Sequence, residues 1–154
     1  MRIQKDDLLA FMRQREMPIP RRLLPRLSLL VIDDEATYVN ALRQSLQRAD
    51  ARLVVDACSS GLDGLLRVGA DMPDAVLVDA LMPGVDGLDF CRIVKAHPRT
   101  RNIPVVGMSG RGAAYQDRFK AAGAAAFLEK PFTAKEVLEV LRRVGALPPR
   151  EMVR

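Results

Sequence analysis

The chain has 154 residues, 49% of them hydrophobic and 28% charged, enough for one compact domain with a core and a short appendage at either end. Its longest apolar runs fall far short of the roughly 20 residues a membrane-spanning helix needs, and the opening Met1-Arg2-Ile3-Gln4-Lys5 lacks the pattern of a secretory signal, so a cytoplasmic location with no membrane contact is expected. The net charge of +5 is concentrated in residues 1–26, which carry seven Lys/Arg against three acids, while the other 128 residues carry seventeen against sixteen; the main domain is therefore a poor candidate for gripping nucleic acid.

In chain order, Lys5 to Glu16 places Leu8, Leu9, Phe11 and Met12 among charges, as a short amphipathic helix would. Pro18, Pro20 and Pro25 then make a linker that no helix crosses. From Leu27 onward short apolar runs alternate with longer helical patterns, which is how an α/β chain with a parallel sheet reads. Leu27 to Ile32 is predicted as a buried strand, and Ala36 to Ala49 as a helix with Val39, Leu42 and Leu46 on one face. Leu53 to Ala57 is the second strand, and Ser60 caps a helix running to about Val68. Ala75 to Val78 is the third strand, Leu88 to Ala96 a helix ended by Pro98, and Ile103 to Gly107 the fourth strand. A helix from Ala114 to Ala122 stops at Gly123, and Ala125 to Leu128 is the fifth strand. The last helix starts at Thr133, where Thr133 and Glu136 have capping-box spacing, with Val137, Leu138 and Leu141 inward. The two cysteines, Cys58 and Cys91, lack metal-ligand spacing and read as reduced packing residues. His97, before Pro98 at a helix end, reads as a surface residue.

Ligands of an open parallel sheet bind beyond the carboxyl ends of the strands. There the sequence places Asp33 and Asp34 after the first strand, Asp79 after the third, Ser109 just beyond the fourth and Lys130 after the fifth. Each has a plain structural reading when taken alone: an acidic helix start, a loop cap, a turn, a solvated cation. Together they make a cluster whose carboxylates repel unless a cation compensates, and Mg²⁺ suits a set of hard oxygen ligands beside a phosphoryl group. Asp79 is then a carboxylate nucleophile, Lys130 a point charge for a phosphoryl oxygen, and Ser109 a hydrogen-bond donor to another.

The segments Leu29-Leu30-Val31-Ile32-Asp33-Asp34-Glu35, Val76-Leu77-Val78-Asp79-Ala80-Leu81-Met82-Pro83-Gly84-Val85-Asp86-Gly87, Val105-Val106-Gly107-Met108-Ser109-Gly110 and Phe127-Leu128-Glu129-Lys130-Pro131-Phe132 resemble, in order and spacing, the response-regulator receiver family. The resemblance covers about residues 27 to 146. It implies a doubly wound, flavodoxin-like (βα)₅ fold with strand order 2-1-3-4-5. It implies further that Asp79 is the phosphoacceptor, that Asp33, Asp34, Asp79 and the main-chain carbonyl of Leu81 hold Mg²⁺, and that Ser109 and Lys130 contact the phosphoryl group. It also implies a cis Lys130-Pro131 bond and a switch in which Ser109 moves toward the phosphoryl group and Phe127 turns inward. Leu81 and Arg111 stand where the family tunes the lifetime of the phosphorylated state.

The implied partner is a sensor histidine kinase or a phosphotransfer protein. The implied output face is the Ala114–Ala122 helix, the fifth strand and the last helix, with Arg118, Lys120, Glu129, Lys135 and Glu139 on it, and it would control either a partner or a homodimer. The expected organisation is residues 1–26 as a basic helix and linker, 27–147 as the receiver and 148–154 as a short tail. Arg2 to Met12 and Met17-Pro18-Ile19-Pro20 resemble the closing helix and exit of an excisionase-like winged helix-turn-helix. The recognition helix itself is missing, which argues against DNA binding by this chain and leaves a remnant, a truncation or an independent packing arm as readings. Three alternatives stand beside a phosphorylated receiver: a scaffold that works without phosphorylation, the regulatory part of a DNA-binding transcriptional regulator, and a phosphatase-like hydrolase. The last is disfavoured because Leu81 occupies the place of a second acid.

Overall fold

The structure, a computed structural model, describes residues 2–20, 23 and 26–148. Five parallel strands, β1 (Leu27–Ile32), β2 (Leu53–Cys58), β3 (Ala75–Asp79), β4 (Val105–Ser109) and β5 (Ala126–Glu129), form one sheet in the order β2-β1-β3-β4-β5. The connecting helices are α2 (Ala36–Ala49), α3 (Gly61–Asp71), α4 (Gly87–Ala96), α5 (Ala113–Ala121) and α6 (Ala134–Arg143), and α1 (Lys5–Gln14) precedes the sheet. This is the doubly wound arrangement predicted. No helix among the described residues is long and apolar enough to cross a membrane.

Successive residues of a strand face opposite sides of the sheet, so central strands buried on both sides are apolar throughout. Leu29 and Val31 of β1, Leu77 of β3, and Val106 and Met108 of β4 pack under α2 and α6 with Leu42, Leu46, Val137 and Leu141. Leu30 and Ile32, Val76 and Val78, and Val105 face the other way, against Val68 of α3, Phe90 and Val94 of α4, and Phe119 of α5. Cys91 lies in that second layer, where its thiol donates to the carbonyl of Ala122, and Cys58 is half-buried; both are free and burial pushes both thiols up to about 11.

Element boundaries moved where local signals compete. α3 continues past Val68 to Asp71 and closes on Met72 in the left-handed region, with the Met72 N–H donating to the Val68 carbonyl. β4 starts at Val105 instead of Ile103, because Pro104 has no N–H for the ladder, and it runs on through Ser109. Ser109 is thus the last residue of the strand and not a residue beyond it. α6 carries the complete capping box: Thr133 Oγ1 accepts from the Glu136 N–H at 3.2 Å and Glu136 Oε2 accepts from the Thr133 N–H at 2.8 Å.

α1 ends at Gln14, two residues before the expected Glu16, and Glu16 takes φ 51°. Leu9 and Met12 form a small cluster with Ile19, separate from the two layers on the sheet, while Phe11 is exposed. Pro25 of the linker and residues 149–154 of the tail lie outside the described residues.

Candidate functional site at the strand ends

Parallel pairing brings the carboxyl ends of the strands to one edge. Ile32 is in register with both Cys58 and Val78, Asp79 with Met108, and Ser109 with Glu129. The residues that follow Ile32, end β3, end β4 and follow Glu129 are Asp33, Asp79, Ser109 and Lys130, so four of the predicted residues converge through sheet geometry alone. Lys130 is fixed twice: its N–H donates to the Ser109 carbonyl at 2.8 Å, and its Nζ donates to Asp33 Oδ2 at 2.6 Å and lies 3.2 Å from Asp79 Oδ1. The Lys130-Pro131 peptide is cis.

Asp33 and Asp79 are buried and Asp34 is exposed; one carboxylate oxygen from each of the three lies within 4.8 Å of the others. Oxygens on opposite sides of an octahedral cation with bonds of about 2.1 Å are about 4.2 Å apart, so small carboxylate rotations would let the three share one Mg²⁺. The donor set fits that ion: all hard oxygens, largely shielded from water, and with more negative charge than Lys130 neutralises. The remaining oxygen of Asp33, Oδ1, accepts from the Glu35 N–H at 2.9 Å, which aims the side chain.

Burial raises the Asp79 pKa above its ordinary 3.8, and the charges of Asp33 and Asp34 add to that against the opposing pull of Lys130. Burial works against the Lys130 ammonium, but its hydrogen bond to Asp33 and the charges of Asp79 and Asp33 outweigh it and hold the pKa above the usual lysine value. The cluster therefore favours the charged form of its cation, while Asp79 sits in a poorly solvated place where burial raises its pKa.

A family model described as the response regulator receiver domain matches residues 29–142. The chain belongs to the receiver family. It is similar to response regulator PleD of Caulobacter vibrioides, at 38% identity over 108 residues, covering 67% of this chain and 22% of that protein. It is also similar to the phosphate regulon transcriptional regulatory protein PhoB of Rhizobium meliloti, at 29% identity over 75% of this chain and 50% of that protein. The chain thus spans between a fifth and a half of these relatives. Among solved structures, a response regulator from Chloroflexus aurantiacus superposes with a TM-score of 0.72 at 30% identity, covering 79% of this chain and 99% of that one.

The receiver's other predicted residues sit around this cluster in different ways. Ser109 is buried and its Oγ accepts from the Arg111 N–H at 3.0 Å, while Arg111 and Leu81 are exposed. Phe127 is half-buried, its ring 5.8 Å from that of Phe119 at an interplanar angle of 36°. Arg118, Lys120, Glu129, Lys135 and Glu139 are all exposed. His97 is exposed and accepts the Arg99 N–H on Nδ1 at 3.1 Å, an ordinary helix-end contact.

One residue of the receiver site escaped the sequence reading, and another, Gly87, was read only as part of a motif, without its contact. Gly87, the first residue of α4, lies so close to the end of β3 that a Cβ there would stand 2.2 Å from the Asp79 carbonyl oxygen. Tyr38, in the first turn of α2, puts its ring 4.5 Å under the Lys130 ammonium. An aromatic one helical turn after an acidic pair was the available signal, but the stripe of Val39, Leu42 and Leu46 beside it drew the reading toward the core.

Proposed function

We propose that the chain is the phosphoacceptor module of a two-component pathway, taking a phosphoryl group on Asp79 in a Mg²⁺-dependent reaction. The observation that carries this reading is the convergence of Asp33, Asp79, Ser109 and Lys130 from four strands onto one edge, with Lys130 within 3.2 Å of both buried carboxylates. Asp33, Asp34, Asp79 and the Leu81 main-chain carbonyl would hold the ion, which supplies Lewis-acid neutralisation of phosphoryl oxygens when bound.

In that reaction an Asp79 carboxylate oxygen attacks phosphorus in line, an O–P bond forms, and the bond from phosphorus to the donor atom breaks with its electron pair leaving on the donor. Lys130 turns from Asp79 toward a phosphoryl oxygen. The Ser109 hydroxyl, which accepts but does not donate in the contacts described above, has its proton free for another. Drawing Ser109 inward empties space beside Phe127, whose ring moves against Phe119, and the face formed by α5, β5 and α6 changes shape. This is a two-state equilibrium biased by new charge and hydrogen bonds.

The donor is a sensor histidine kinase or a phosphotransfer protein, and the output is control of a partner or of dimerisation through the α5, β5 and α6 face, in the cytoplasm. Residues 1–26 act as an appended arm on a receiver spanning 27–147, ahead of a tail at 148–154. The deciding experiment is intact-protein mass after incubation with acetyl phosphate, with and without Mg²⁺, beside Asp79→Asn. A Mg²⁺-dependent gain of one phosphoryl group, absent from the variant, is the expected result. No gain, with Mg²⁺ separately found not to bind, would leave the phosphorylation-independent scaffold as the better reading.

A further inference from the structure

We propose that Tyr38 is a positioning residue whose ring, and not its hydroxyl, holds the Lys130 ammonium at the strand ends between Asp33 and Asp79. The proposal deepens the function proposed above and rests on it for its kinetic consequence, but its geometric half stands independently.

Lys130 reaches the site on a flexible four-carbon stem, and each carboxylate it meets constrains it from one direction only. Asp33 Oδ2 at 2.6 Å and Asp79 Oδ1 at 3.2 Å leave the third side of the ammonium open. The Tyr38 ring closes that side at 4.5 Å from its centroid, well inside the distance at which the negative face of an aromatic attracts a cation. The ring cannot swing away freely, since Phe132 meets it edge-on with centroids 6.1 Å apart and planes at 83°. Phe132 follows Lys130 by two residues, so the same loop that carries the cation also orients the ring beneath it.

The hydroxyl has no such task. Tyr38 Oη is buried and has no hydrogen-bond partner among the described residues, so the side chain keeps a polar atom in a place that gives it nothing. A phenylalanine would supply the same face without the orphaned group. This separates the ring's contribution from the oxygen's.

The consequence is kinetic. Without the ring the ammonium samples more orientations, and fewer of them place it on a phosphoryl oxygen as charge develops during transfer. Tyr38→Leu, which keeps apolar volume against the α2 and α6 layer, is expected to slow phosphorylation by acetyl phosphate and Mg²⁺ about 3- to 30-fold, the size of a partly desolvated cation–aromatic contact. Tyr38→Phe is expected to stay within about twofold of the wild-type rate, as a ring-only contact requires.

The test measures the Lys130 ε-methylene proton and carbon shifts by NMR alongside the phosphorylation rates of wild type, Tyr38→Phe and Tyr38→Leu, with circular dichroism to verify folding. Upfield ring-current shifts of Lys130 in wild type and Tyr38→Phe, lost in Tyr38→Leu together with the rate, are the expected result. Loss of rate in Tyr38→Phe equal to that in Tyr38→Leu would overturn the proposal by assigning the role to the hydroxyl. Unshifted Lys130 signals in the wild type would overturn it by removing the contact. A wild type with shifted Lys130 signals that accepts no phosphoryl group would instead sink the proposed function and with it the kinetic clause, leaving the ring–ammonium contact in place.

Discussion

The ring of Phe119 lies so close to Gly107 that a Cβ at position 107 would stand 2.5 Å from it. Phe119 is fully buried and forms the floor on which the Phe127 ring rests. Gly107→Ala is therefore expected to lower stability by about 1–3 kcal/mol, the usual size of an overpacked core position. Thermal or urea unfolding measures it. If the inward turn of Phe127 is part of the response, the variant should also weaken coupling between phosphorylation and dimerisation, which gel filtration of the phosphorylated protein would register.

Gly87→Ala tests a different close approach. The clash it makes is with backbone, the carbonyl of Asp79, so relief requires β3 or the α4 N-terminus to move. The expected outcome is a protein that folds but accepts phosphoryl groups at least about tenfold more slowly, since ångström-scale misplacement of a reacting group carries that cost or more. An unchanged rate, read by mass against time, would show that the Asp79 carboxylate does not depend on its backbone being held there.

The raised pKa of Asp79 has a definite sign for stability. A carboxyl that holds its proton more tightly in the fold than in the unfolded chain makes stability fall as pH rises from 3.8 through the folded pKa. Asp79→Asn escapes that loss. In buffer containing EDTA the variant is expected to melt above the wild type at pH 7, with the gap closing as pH drops below 3.8. A variant that melts lower at pH 7 would mean that the attraction of Lys130 for Asp79 outweighs the cost of burying the charge.

Mg²⁺ should act on the same balance from the other side. Binding only the folded state at 100 times its dissociation constant stabilises by about 2.7 kcal/mol. Titrating Mg²⁺ into the wild type is expected to raise the melting temperature, EDTA to reverse the rise, and Asp33→Asn or Asp34→Asn to flatten it. Equal responses in wild type and both variants would place the ion elsewhere.

Thr133→Ala removes one half of the α6 capping box and is expected to cost about 1 kcal/mol. Because α6 supplies Val137 and Leu141 to the core, unfolding should remain a single transition at a lower midpoint. A change in denaturant dependence would point instead to α6 detaching by itself.

How much of this was legible beforehand depended on the kind of signal. The strands were read almost to the residue where apolar runs meet charged neighbours, as at Ile32-Asp33, because burial on both faces leaves no polar position inside the run. β4 was misplaced by two residues because Ile103 is apolar and buried without belonging to the ladder. The assembly of Asp33, Asp79, Ser109 and Lys130 followed from strand ends alone, for parallel register leaves few other places for them. Tyr38 was not legible in that way, and Gly87 was legible as part of a motif but not for its approach to Asp79. Tyr38 meets Lys130 far along the chain and Gly87 meets the Asp79 backbone across a loop, and neither a ring at helical spacing nor a glycine at a helix start distinguishes such a contact from ordinary packing.

The bond between Lys130 and Asp33 joins residues 97 apart, across a sheet in which β5 is the last strand to leave the ribosome. A chain still under synthesis thus has an acidic pair but no cation, and its Asp79 has no partner on the far side. Under the proposed function, competence to accept a phosphoryl group on Asp79 therefore depends on the closing strand.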